Sequence, residues 1–134
     1  MSDLKTQLTL HEGLRYELYE CPSGKLTIGV GRNIEDRGIS PDEADLMLEN
    51  DINIAQNELR QRVGVFDQLT DTRKRVLIDM VFNMGITRFM TFQKMLGALA
   101  KSDYQKAAAE MLDSKWARQV HSRADSLAEM MKRG

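Results

Sequence analysis

Apolar positions change period along this chain, and the changes mark its elements. Leu4 and Leu8 stand four apart among polar residues, which predicts a short helix with Ser2 or Asp3 as its N-cap. Alternation with period two follows, over two strands on either side of Pro22-Ser23-Gly24. Those three residues suit a hairpin loop built from a type I turn with glycine in the left-handed bulge position. Helical spacing returns after Ser40-Pro41-Asp42-Glu43, a capping serine followed by proline in the first turn and glutamate at the third helical position. Met47, Leu48, Ile52, Ala55, Leu59 and Val63 then recur on one face, predicting a helix over about 41–63. Thr70 caps the next, which carries Val76, Leu77, Met80, Val81 and Met84 up to the stop at Gly85. Shorter helices are expected over 91–100, from a Ser102 cap to 112, and over 121–133.

The expected class is α+β and mostly helical, one domain over 1–134. A small N-terminal β-hairpin lobe (about 12–40) is joined by the long helix to a helical C-terminal lobe (about 65–134), with helix 3–11 packed near that lobe and a cleft between the two.

Hairpin parity sorts the strand residues into two faces. Tyr16, Leu18, Leu26, Ile28 and Val30 share one, expected to pack inward; Tyr19, Cys21, Thr27, Gly29 and Gly31 share the other, expected to be open. Cys21 and Thr27 become diagonal neighbours there, and the two glycines leave room for a ligand close to the backbone. Glu12, at the end of the first helix, adds an acid to this thiol and hydroxyl.

Composition narrows the classes. A chain of 134 residues with 42% hydrophobic content can bury a core, and its single cysteine forms no intramolecular disulfide, so synthesis in a reducing cytoplasm is expected. Residues 1–7 are polar and lack the apolar region of a signal peptide, and no membrane insertion is expected. Charge divides unevenly: residues 1–64 hold 7 Lys and Arg against 12 Asp and Glu, a net of −5, and the remainder holds 12 against 8, a net of +4. The basic half suits an anionic polymer; the aromatic and basic grouping of a nucleic-acid groove is missing. His11 and His121 lie far apart without further ligands at metal spacing, and Gly29-Val30-Gly31 lacks the third glycine of a nucleotide loop, so neither a metal nor a cofactor is expected. Met47, Met80, Met84 and Met95 read as core filler, and Trp116 reads as a core anchor between Leu112 and Val120.

A glutamate, eight residues, a cysteine, five residues, a threonine and then G-x-G is the pattern formed by Glu12, Cys21, Thr27 and Gly29-Val30-Gly31. It resembles the site of the phage-type lysozymes, endolysins that cut peptidoglycan, in which aspartate or cysteine occupies the middle position. Asp79-Met80-Val81-Phe82-Asn83-Met84-Gly85 looks like the family's buried central helix, and Ser114-Lys115-Trp116 with Arg123-Ala124 like its late tryptophan and arginine. The resemblance implies a lysozyme-like fold and hydrolysis of the β-1,4 bond between N-acetylmuramic acid and N-acetylglucosamine. Glu12 would be the general acid, with Cys21 and Thr27 directing water to give net inversion. Arg123 would support by pairing with Glu12, and Gly29, Gly31 and Asn83 would contact the sugar. A monomer is expected, released from the host cytoplasm with a holin's help to act on the wall in the periplasm. Arg32 stands where many members have histidine, and the stretch Asn33 to Gly38 is short for the family. Two other readings of the same residues are a lytic transglycosylase and an inactive wall-binding module.

Overall fold

The computed structural model describes residues 2–134 and divides into two compact units, Met1–Met47 and Leu48–Gly134. The division falls inside a single long helix. In the first unit α1 (Ser2–Glu12) leads into β1 (Arg15–Glu20), β2 (Leu26–Gly29) and β3 (Arg32–Asn33), then the short α2 (Ile34–Arg37) and the start of α3 (Pro41–Arg62). Ser2 and Asp3 both lie inside α1, so neither is its cap.

Local chemistry explains these boundaries. Cys21 accepts from the Gly24 N–H at 2.8 Å and donates its own N–H to Lys25 O at 3.0 Å, while Gly24 takes φ +81°, so the turn is the three-residue loop with a left-handed glycine. The α3 start is a reciprocal capping box: the Ser40 N–H donates to Glu43 Oε1 at 2.8 Å, and the Glu43 N–H to Ser40 Oγ at 3.2 Å. Asn33 caps α2 by accepting the Asp36 N–H at 3.1 Å.

The sheet is antiparallel in the order β1-β2-β3, and the burial expected for the two hairpin faces is reversed. Tyr19 pairs with Thr27 and Thr27 with Asn33, so Thr27 lies at the centre of a three-residue cross-strand row. It is 2% exposed and is the first unit's only buried residue among those described. Tyr16, at 85% exposure, and Leu18, Leu26 and Val30 are exposed instead. Membership of the faces follows parity at this row; burial follows coverage from both flanks. The register shift between Arg15 and Tyr19 also interrupts strict alternation along β1.

The second unit continues α3 through a 3-10 turn (Phe66–Gln68) into α4 (Asp71–Met84), α5 (Ile86–Phe89), α6 (Gln93–Ala100), α7 (Tyr104–Leu112), α8 (Lys115–Val120) and α9 (Ser122–Arg133). Thr70 caps α4 by accepting the Arg73 N–H at 3.2 Å, and Gly85 ends that helix at φ +84°. The α7 cap is Asp103, which accepts the Lys106 N–H at 3.1 Å; Ser102 sits just outside at φ +57°. Helices α5 and α8 are additional to the sequence expectation.

Among the described residues, all buried apolar side chains belong to this unit, including Leu59, Phe66, Leu77, Met80, Phe89, Met95, Met111 and Trp116. Met84 is partly buried against them, as is Val120, whereas Met47 and Leu112 are exposed and fill no core. Trp116 is the anchor expected. Its ring meets Phe92 edge to face at 6.2 Å between centroids, and its Nε1–H donates to Asn83 Oδ1 at 2.8 Å.

Candidate active site

Helix α1 delivers Glu12 as its last residue, and the Gly13 N–H returns to Thr9 O at 2.8 Å as Gly13 takes φ +80° and turns the chain toward β1. Glu12 is solvent-exposed, yet its side chain has a neighbour far along the sequence. A β-carbon built on Gly31 would lie 2.6 Å from Glu12 Oε2 and 3.0 Å from Glu12 Cβ, so the glutamate occupies the space that a side chain at 31 would need. Gly29 has open space at the same point. The expectation of room beside both glycines therefore holds for Gly29, while the room at Gly31 belongs to Glu12.

Cys21 and Thr27 come together at the loop end of β2. Cys21 Sγ lies 3.0 Å from Ser23 Oγ, and the thiol is lowered from 9.0 to about 7, first by the Ser23 hydroxyl, then by backbone hydrogen bonding from Lys25 and Ser23, with a smaller contribution from the Thr27 hydroxyl; partial desolvation opposes these. Near neutral pH a large share of this thiol is thiolate, able to accept a proton. Thr27 Oγ1 donates to Lys25 O at 2.9 Å. Its single proton serves either that carbonyl or the thiolate, and its lone pairs are left to accept from water.

Polar contacts frame the site. The Leu26 N–H donates to Glu35 Oε1 at 3.1 Å, and Lys25 Nζ lies 3.5 Å from Glu35 Oε2 and 3.4 Å from Asp36 Oδ1, tying α2 to β2. Arg32 Nη1 donates to Glu43 Oε1 at 2.5 Å and to Gly38 O at 3.3 Å. The same carboxylate closes the α3 capping box, and the guanidinium together with the Ser40 hydrogen bonds holds its pKa down at about 2. Ser23, Glu35 and Glu43 are members of this frame beyond the residues that the sequence pattern marks as site candidates. The capping-box spacing is the sequence signal for Glu43, and Ser23 carries only the signal of a turn residue.

In the second unit, Arg123 donates from Nε at 2.8 Å and from Nη2 at 2.6 Å to Asp79 Oδ1. Both side chains are about two-fifths exposed, so screening limits this pair to below about 1 kcal/mol. Within the second unit Asp79 is the partner of this guanidinium. Asn83 spends its carbonyl on Trp116, which leaves its amide N–H groups for other acceptors.

Residues 9–133 match the phage lysozyme family. The chain belongs to that family. It is similar to a probable T4-type lysozyme of Dictyostelium discoideum, 24% identical over 163 residues that cover 100% of this chain and 96% of that protein. It is 33% identical to an endolysin of Acyrthosiphon pisum secondary endosymbiont phage 1, over 92% of this chain and 84% of the endolysin. A pre-baseplate central spike protein of Enterobacteria phage T4 is 26% identical over 92% of this chain, but only 26% of its own length is matched. The family and these relatives support a lysozyme-like function.

Proposed function

We propose that this protein is a muramidase of the endolysin type, a single lysozyme-like domain that hydrolyses the β-1,4 bond between N-acetylmuramic acid and N-acetylglucosamine in peptidoglycan. The observation that carries the reading is the grouping around one three-stranded sheet: a glutamate packed against Gly31 at one end, and a thiol near neutral pKa beside a threonine hydroxyl at the other. Glycoside hydrolysis needs a proton donor for the leaving oxygen and a group that directs water at the anomeric carbon.

Glu12 gives its proton to the glycosidic oxygen as the bond from the anomeric carbon breaks. Cys21, as thiolate, takes a proton from the attacking water, whose oxygen bonds to that carbon with inversion, and Thr27 Oγ1 accepts a second hydrogen bond from the same water. Gly29 leaves the backbone open for the sugar. No metal or cofactor enters this scheme. The enzyme acts as a monomer on the periplasmic wall after holin-dependent release, and so serves host lysis.

The test is mass spectrometry of fragments from purified peptidoglycan, with parent and Glu12→Gln compared. Reducing-end products from the parent are expected, and folded Glu12→Gln should lose at least ~100-fold in turnover, since an amide donates no such proton. Anhydro products would assign a lytic transglycosylase, and the absence of products an inactive wall-binding module. Near-full turnover by Glu12→Gln would remove Glu12 from the chemistry.

A further inference from the structure

Gly31 and Gly29 share a conformation and differ in what surrounds them. Both are left-handed, at φ +66° and +69°. A β-carbon at Gly29 would meet nothing within 4 Å; one at Gly31 would meet Glu12 three times, at 2.6 Å from Oε2, 2.9 Å from Cδ and 3.0 Å from Cβ. These contacts run along the glutamate side chain from its root to its carboxylate, so the bare Cα of Gly31 forms a wall along which Glu12 lies. A contact at 2.6 Å is far inside van der Waals distance, and of the two partners the exposed side chain of Glu12 is the freer to move.

The geometry points to Gly31 as a positioning residue that sets the direction of the Glu12 carboxyl by having no side chain of its own. The inference rests on the reading of Glu12 as the acid, and it replaces direct sugar contact as the role of Gly31. Proton donation depends steeply on placement, because a displacement of about 1 Å at a reacting group can cost on the order of 100-fold. A methyl group at 31 would push the carboxyl off its line while leaving it present and ionisable.

Alanine at a left-handed position also strains the backbone, and Gly29→Ala controls for that strain in the resonance readout alone, since its dihedral is nearly the same and no protein atom lies near its Cβ position, while its turnover is not compared because that position faces the sugar. Gly31→Ala and Gly31→Asn should both lower kcat by about 10-fold to 100-fold with KM changed less than about twofold, asparagine being the residue that best tolerates left-handed backbone. A second readout needs no turnover: the 13C resonance of the Glu12 carboxyl, assigned by its loss in Glu12→Gln. It should move in both Gly31 variants and stay at the parent's position in Gly29→Ala. An unmoved Glu12 resonance in the folded Gly31 variants, or an equal movement in Gly29→Ala, would overturn the inference. If Glu12→Gln keeps its turnover while the resonance still moves in Gly31→Ala, the placement stands and the assignment of Glu12 as acid fails. Should Gly31→Ala not fold, Gly31→Asn decides by the same two measurements.

Discussion

The two units of this protein are held together by different forces. In Leu48–Gly134 the core is made of fully buried side chains such as Phe66, Leu77, Phe89 and Trp116. In Met1–Met47, Thr27 is the one buried residue described, Leu10, Tyr16 and Leu18 face solvent, and the folded shape depends on turns, caps and ion pairs. The candidate catalytic residues all lie in the second kind of structure. A site assembled from local hydrogen bonds can set a thiol near neutral pKa and keep one flank of a glutamate bare, but it is more sensitive to pH and less stable than a packed core.

Truncating a core side chain sharpens the contrast most. Phe66→Ala should cost about 3–5 kcal/mol, whereas Leu18→Ala, on the exposed strand, should change stability by less than about 0.5 kcal/mol. Denaturant melts of the two variants measure this directly. Similar losses would mean that Leu18 is packed in solution and that the units are not so different.

Next comes the thiol, which tests the polar character of the first unit within the site. Because hydrogen bonds to the charged form lower the Cys21 pKa to about 7, thiolate predominates above that pH and is lost below it. Alkylation by iodoacetamide should follow a midpoint near 7, and Ser23→Ala should move it up toward the ordinary value of 9.0 and slow the reaction several-fold at neutral pH. Turnover should rise over the same midpoint. Cys21→Asp should extend activity to lower pH, since a carboxylate ionises near about 4. A midpoint that ignores Ser23→Ala would detach the thiol from its turn.

The smallest effect concerns the frame at Arg32 and Glu43. The Glu43 carboxyl is lowered from 4.5 to about 2, so its contribution to folding is present in full above the ordinary carboxylate range and is lost as pH falls toward 2. Hydrogen exchange at the Ser40 amide, which donates to that carboxylate, should quicken across this acid window relative to its intrinsic rate. Glu43→Gln should remove the pH dependence while leaving the second unit's exchange untouched. A core amide responding equally would show that acid acts on the whole chain rather than on the first unit.

What the order of residues determines unaided is what depends on neighbours within about four positions. The Gly24 turn, the Ser40 and Glu43 capping box, the Thr70 cap and the stop at Gly85 are all of this kind, since each hydrogen bond closes over a few residues. The spacing of Glu12, Cys21 and Thr27 is also written in the chain, and it carried the family resemblance. Burial and partnership are not local. Thr27 is covered because the two-residue strand Arg32–Asn33, too short to show alternation, completes the sheet beside it. Arg123 meets Asp79, 44 positions away, and Gly31 meets Glu12 across the hairpin. Even the choice of Asp103 over Ser102 as the α7 cap depends on the backbone turn leaving α6, where Ser102 takes the left-handed conformation. These outcomes depend on which surfaces the folded backbone brings together, and no short-range pattern encodes that.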